Sequence, residues 1–329
     1  MLGNVRHIDI TGHASAAIAR DDTGTDAALA PVTAISTAGT LRSRSTPRRR
    51  ESASRAGGAR TAFVLSGGAS LGALQAGMLR ALYELGVAPD VLVATSAGAI
   101  NAAFVASRPQ TAATARALAR IWRGLQRDHV FPVSPRVLAG GVLGKRDHLV
   151  APDALRRLLG RHLQFADLAD APIPLHAVAF DIDAGTEVLL SEGPALDAIA
   201  ASAAVPGVFP PVRVRGRRLI DGGVVNNTPI SHAVELGAER VYILPTMGRS
   251  FARPPQPRNA LSAAIDGLGM MMRSRLEADV ARFSGDAELV VLPAPNQLDV
   301  MPTDFSHADR LMRDAHQAAH SRLAQPLAA

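Results

Sequence analysis

From Thr61 onward, short runs of apolar and β-branched residues alternate with longer stretches whose apolar positions recur at helical spacing. Thr61–Leu65 reads as a strand that runs into a glycine-rich turn. Beyond it, Leu74, Met78, Leu82 and Leu85 form one stripe of a helix over Gly72–Leu85, closed by Gly86. Val91–Ala94 reads as a second strand, and Ala97–Ala106 as a second helix whose small residues permit close packing. Further helices are predicted at Ala112–Leu125, Asp153–Leu163, Leu261–Phe283 and Phe305–Leu323. Leu175–Asp181 and Glu187–Ser191 flank Asp183-Ala184-Gly185-Thr186 in the pattern of a hairpin, and Arg217–Ile220, Arg240–Pro245 and Ala287–Leu292 complete the strands. Strands alternating with helices predict an α/β fold, a three-layer α/β/α sandwich with a mostly parallel central sheet. One domain over residues 61–324 holds all of these elements.

The preceding segment differs in character. Residues 1–60 are rich in Ala, Thr, Ser, Gly and Arg, show no sustained period, and hold nine arginines against five acids. Such a segment buries too little apolar surface to offset its chain entropy and is expected to be a disordered, solvated tail. The functional alternative for its arginine run is attraction to anionic lipid headgroups. The body is left nearly neutral. With two Tyr, one Trp and the single Lys145, it lacks the basic face and stacking platform of a nucleic-acid binder. The absence of cysteine excludes a disulfide framework, a Cys-based metal site and a thiol nucleophile. The longest apolar stretch, Val91–Ala106, is broken by Thr95, Ser96 and Asn101 and falls short of the roughly 20 residues a spanning helix needs. No transmembrane segment and no signal peptide are therefore expected. Leu323–Ala329 reads as a frayed end.

Three turns carry candidate chemistry. Ser66-Gly67-Gly68-Ala69-Ser70-Leu71-Gly72 joins a strand to a helix, and its glycines allow successive N–H groups to converge at a positive helix N-terminus. That hollow suits a phosphate or a developing oxyanion; a plain glycine turn is the bland alternative. A dinucleotide site would want an acid closing the second strand, where this chain has Ala94-Thr95-Ser96, and a P-loop would want Gly-Lys-Ser/Thr, where Ala73 follows Gly72. Ala94-Thr95-Ser96-Ala97-Gly98 has the strand–Ser–helix form of a nucleophile elbow, although the position two before the serine, usually Gly, is Ala94. An ordinary small-residue turn fits the spacing equally well. Asp221-Gly222-Gly223 follows the strand Arg218-Leu219-Ile220 and places a carboxylate on a rim open to close backbone approach, or simply makes an Asp-Gly turn.

A serine hydroxyl needs a base. Of ten histidines none has a convincing partner, and His232 and His307, each beside a helix start, read as cap or surface residues. A carboxylate serves instead if an apolar setting raises its pKa from about 3.9. The candidate pair is Ser96 with Asp221.

Four segments in this order resemble the patatin-like phospholipases of bacterial type: Leu65–Gly77, Thr95–Ala102, Ala201–Pro211 and Asp221-Gly222-Gly223. The resemblance extends over about Thr61 to Leu323. It implies a patatin-like three-layer fold and a serine lipid acyl hydrolase acting without cofactor, metal or calcium. Ser96 would be the nucleophile and Asp221 the base, with an oxyanion hole at Gly67, Gly68 and Ala69 and motif support from Gly72, Thr95, Gly98, Gly222 and Gly223. It further implies an acyl-enzyme intermediate and a lipid substrate, a phospholipid met at a membrane surface by a cytoplasmic, peripheral protein. The family's loop commonly has a third Gly and an Arg where this chain has Ala69 and Leu71. Ala69 would cost about 1–2 kcal/mol if the loop needs φ > 0 there. These departures, with Ala94, motivate the alternative of a catalytically impaired lipid- or partner-binding protein on the same fold; a nucleotide-binding α/β protein is the third reading. Gln126–Lys145 reads as a loop bearing Val130, Phe131, Val133, Val137, Leu138 and Leu143. It and the helical Met270, Met271 and Met272 are expected to be core or cover, with an apolar flap touching the bilayer as the alternative for the loop. Headgroup, sn position, acyl acceptor and oligomeric state leave no mark in the sequence.

Overall fold

The computed structural model describes residues 59–247, 260–294 and 300–325. All of them belong to one compact unit, residues 53–329. Apart from Ala59 and Arg60, the tail expected to be disordered lies outside the described residues, as do residues 326–329.

The elements follow in the order β1 (Thr61–Leu65), α1 (Ala73–Glu84), β2 (Val91–Thr95), α2 (Ala97–Ala106), α3 (Ala112–Gly124), α4 (Arg127–Val130), α5 (Pro135–Val142) and α6 (Asp153–His162). Then come β3 (Leu175–Asp181), β4 (Thr186–Leu190), α7 (Ala195–Ser202), β5 (Val212–Val214), β6 (Arg217–Asp221) and α8 (Ile230–Glu235). The last are β7 (Arg240–Leu244), α9 (Ala260–Phe283), β8 (Glu288–Val291) and α10 (Ala308–Ala324). The hydrogen-bonded path across the sheet is β5-β6-β3-β2-β1-β7-β8, with β4 on β3. Pairings from β3 through β2, β1 and β7 to β8 are parallel, and those of β3 with β4 and β6, and of β5 with β6, are antiparallel.

Alternation along β1 explains the layers. Phe63 and Leu65 point into the larger core, filled by α1, α2, α3, α7 and α10, whereas Ala62 and Val64 point into a smaller one shared with Ile230 and Ala233 of α8 and Leu276 of α9. Helices thus cover both faces, and the expected three-layer α/β/α sandwich is found. Alpha-helix α1 lies so close on α10 that a Cβ at Gly77 would collide with the Met312 carbonyl.

Several elements depart from the sequence expectation. The predicted loop Gln126–Lys145 contains α4 and α5, and the C-terminal helix persists to Ala324 instead of fraying at Leu323. Helix α7 is Ala-rich and has too few bulky residues for a visible stripe. Strand β5 escapes notice because its hairpin to β6 turns through Arg215 (φ 49°) and Gly216 (φ 82°), an uncommon residue at a position that favours Asn, Asp or Gly.

Candidate active site

Strand β3 assembles the site. Ala177–Asp181 pair with β4 along one edge, so β2 and β6 must both lie on the other. There Thr95 at the end of β2 pairs with Val178, and Asp221 at the end of β6 pairs with Ala179. Because β2 runs parallel to β3 and β6 antiparallel, their C-terminal ends abut. Ser96, the residue after Thr95, thereby meets Asp221.

Ser96 is 8% exposed and holds φ 56°, ψ −125° between β2 and α2. This sharp turn costs a non-Gly residue on the order of 1–3 kcal/mol and persists only where its surroundings fix it. Here the Ser96 amide donates to Ser202 Oγ at 3.0 Å, and Ser202 Oγ donates to the Val178 carbonyl at 2.6 Å. Gly98 lets α2 approach β1, since a Cβ there would strike the Leu65 carbonyl. Thr95 Oγ1 donates to the Asn226 carbonyl at 2.8 Å.

Asp221 is 4% exposed. Burial pushes its carboxyl up to about 6, against the lowering influence of hydrogen bonds with the Ser96 side chain and the Gly223 amide. That amide lies 2.7 Å from Asp221 Oδ1, and the Asp221 amide donates to the Ala204 carbonyl at 2.9 Å. A Cβ at Gly222 would collide with the Val178 carbonyl, so this turn admits only glycine without a shift.

Gly67, Gly68 and Ala69 follow β1 at the same sheet end. The Gly67 amide donates to the Asn227 carbonyl at 3.1 Å, and the Gly67 carbonyl accepts from Thr246 Oγ1 and, at 3.4 Å, from Asn227 Nδ2. Ala69 adopts φ 49°, the left-handed conformation in which its methyl is a burden. A buried amide network holds the loop beneath. Gln75 Nε2 donates to the Ser66 and Leu244 carbonyls at 2.8 and 3.0 Å, and Asn101 Nδ2 to Gln75 Oε1 and the Gly72 carbonyl at 2.8 and 2.9 Å. Trp122 Nε1 completes it with a 2.9 Å bond to Asn101 Oδ1, and a Cβ at Gly72 would press on the Trp122 ring. Sequence reasoning passed over Gln75, Asn101, Ser202, Asn227 and Thr246. The available signal was a polar residue set in an otherwise apolar helix or just past a strand end.

Ser96 opens on an apolar cavity of about 830 Å³, its mouth included. Ala97, Ile100 and Phe104 of α2 line it along one side, with Trp122, Leu155, Leu159, Phe131, Phe209 and Phe305 around it. His162, its imidazole pushed down by burial and by Arg108, lies on the wall. His232 instead bonds Glu187 at 2.6 Å and Glu235 at 3.1 Å, and His307 precedes α10 with Nε2 3.4 Å from Asp304. Among the described residues no group of three or more His, Asp or Glu side chains is placed to hold a metal ion, and no helix is long and apolar enough to cross a membrane.

Fold and site together define an α/β protein whose strand–serine–helix turn faces a buried carboxyl across the carboxyl edge of the sheet. The profile of the patatin-like phospholipase family matches residues 63–234, just over half of the chain, and the chain belongs to that family. It is 31% identical over 217 residues to an uncharacterised NTE-family protein of Mycobacterium tuberculosis, a match covering 65% of this chain and 56% of the other. Identity is 30% over 185 residues with human patatin-like phospholipase domain-containing protein 6, covering 56% of this chain and 13% of that one. The chain thus spans little more than half the length of the first of these relatives and a small part of the second. Among solved structures, VipD from Legionella pneumophila aligns over 80% of this chain and 66% of its own, with a TM-score of 0.42 and 14% identity.

Proposed function

We propose that the protein is a serine lipid acyl hydrolase that cleaves fatty-acyl esters of phospholipids or related lipids at a membrane surface, with Ser96 as nucleophile and Asp221 as its base. The observation that carries this reading is the meeting of a strained serine and a buried carboxyl at the mouth of an apolar cavity. As Ser96 Oγ attacks the acyl carbonyl, Asp221 takes its proton, and the negative charge gathers on the former carbonyl oxygen beside the N-terminus of α2 and the glycine loop. Of the three residues expected at the oxyanion hole, Gly68 and Ala69 would supply amides to that oxygen, whereas the Gly67 amide is spent on the Asn227 carbonyl and tethers the loop. The ester C–O bond then breaks and Asp221 returns the proton to the leaving lysolipid oxygen. Water, deprotonated by Asp221 in turn, attacks the acyl-enzyme, and the fatty acid departs as Ser96 regains its proton.

The left-handed Ala69 favours a second reading, a lipid-binding protein that keeps the fold with an impaired loop. A fluorophosphonate probe separates the two. Covalent labelling of the wild type that disappears in Ser96→Ala, with fatty acid released from a mixed phospholipid and neutral-lipid panel by mass spectrometry, is expected of the hydrolase. An unlabelled wild type, or label retained in Ser96→Ala, overturns it.

A further inference from the structure

The segment between Phe131 and Val150 departs from the rest of the molecule. Both ends are buried in the larger core, yet no residue from 132 to 149 is buried. Within it, α5 is amphipathic in the reverse sense. Gly140 and Gly141 lie against the segment's own return, where a Cβ at Gly140 would press on the Arg146 side chain and one at Gly141 would meet His148 and Leu149. Most of the bulky apolar residues face outward: Val133, Val142 and Leu143 are 47%, 73% and 68% exposed, and Leu138 is exposed as well, whereas Val137 is half-buried. A helix that served as cover would turn these side chains inward.

Charge on the segment points to what meets this face. Arg136 on α5 and Lys145 and Arg146 just after it are exposed and form no ion pair among the described residues. The amides of Lys145 and Arg146 both donate to the Gly140 carbonyl, at 2.8 and 3.0 Å, which folds the two cations back beside the helix end. The segment's one acid, Asp147, is bonded to His148 at 2.8 Å. Apolar side chains flanked by cations match the acyl boundary and anionic headgroups of a bilayer. A second copy of the same face would set these cations against one another.

The first root of the segment lies on the cavity, and the second is tied to the chain just before Phe209 on its wall. Phe131 lines the cavity and stacks on Phe209 at 5.6 Å, and the amides of Leu149 and Val150 bond the Gly207 and Val208 carbonyls at 3.0 and 2.9 Å. We propose that α5 with its flanking cations docks the protein on an anionic lipid bilayer, seating the cavity wall at the membrane surface. The proposal rests on the hydrolase reading for its purpose, but docking is measurable without turnover.

Full-length Ser96→Ala protein is tested for co-sedimentation with phosphatidylcholine vesicles and with mixed phosphatidylcholine–phosphatidylglycerol vesicles, alongside the same protein carrying Val142→Asp with Leu143→Asp, or Lys145→Glu with Arg146→Glu. Preferential binding to the mixed vesicles is expected, weakened by salt and by about tenfold or more in either double variant. In the Ser96-bearing protein, the double variants are expected to lose vesicle turnover while hydrolysis of a short-chain monomeric ester stays within about twofold. Unchanged vesicle binding, equal losses on both substrates, or a vesicle-independent dimer abolished by the aspartates overturns the proposal. If the wild type hydrolyses no ester but the variants lose vesicle binding, docking stands and the hydrolase reading falls.

Discussion

A carboxyl titrating near 6 is a workable proton acceptor at neutral pH, and Asp221 owes that value to burial rather than to a neighbouring acid. Activity is therefore expected to fall about tenfold per pH unit below about 6 and to level off above it, a limb that kcat/KM measured on a monomeric ester would trace; a midpoint near 4 would contradict it. The stability consequence has the opposite sense. A carboxyl whose pKa is raised on folding holds its proton more tightly in the native state, so between about 3.8 and 6 stability drops as pH rises. Asp221→Asn, which abolishes the proposed proton transfer, is accordingly expected to stabilise the fold by on the order of 1–3 kcal/mol at pH 8 and by little at pH 4, as read by denaturant titration at both. A destabilised variant at pH 8 would mean that the carboxylate is better paired than its surroundings indicate.

At the scale of elements, Ser202 at the end of α7 couples the elbow to the sheet, receiving the Ser96 amide and donating to Val178. Ser202→Ala leaves both groups buried without their partner, a penalty of about 1–3 kcal/mol. It is expected to lower kcat about tenfold to a hundredfold with KM nearly unchanged. A rise in KM alone would assign the hydroxyl to substrate binding. The three turns that frame the site were legible in sequence because their demands are local: Gly98 and Gly222 admit close backbone, and Ala69 sits at the positive φ that made its methyl notable. What brings Ser96 to Asp221 was not legible from spacing. It is the register of two strands against β3, fixed by pairings between segments far apart in the chain. Spacing likewise left α5 open between cover and an apolar flap, and the exposure of Leu138 and Leu143 speaks against cover.

For the whole molecule, the cavity sets what the site accepts. It follows α2 from Ala97 past Ile100 and Ala103 to Phe104, about 10–12 Å at the helical rise. Ala103→Leu adds bulk on that wall and is expected to move the preferred acyl chain shorter. Long-chain kcat/KM would fall about tenfold while the shortest chains are spared, as a graded series of monomeric esters would report; a uniform loss would point to a folding defect. The abutment of β2 and β6 on β3 has a wider consequence. The spacing between the proposed nucleophile and proton acceptor is set by the register of two strands on β3, so the connections on either side of β3 can change length in evolution while that register, and with it the geometry, is kept. Conversely, under the proposed chemistry a ribosome-bound chain that has released the serine but not yet β6 would be inert toward lipid until synthesis passes the last of the three strands.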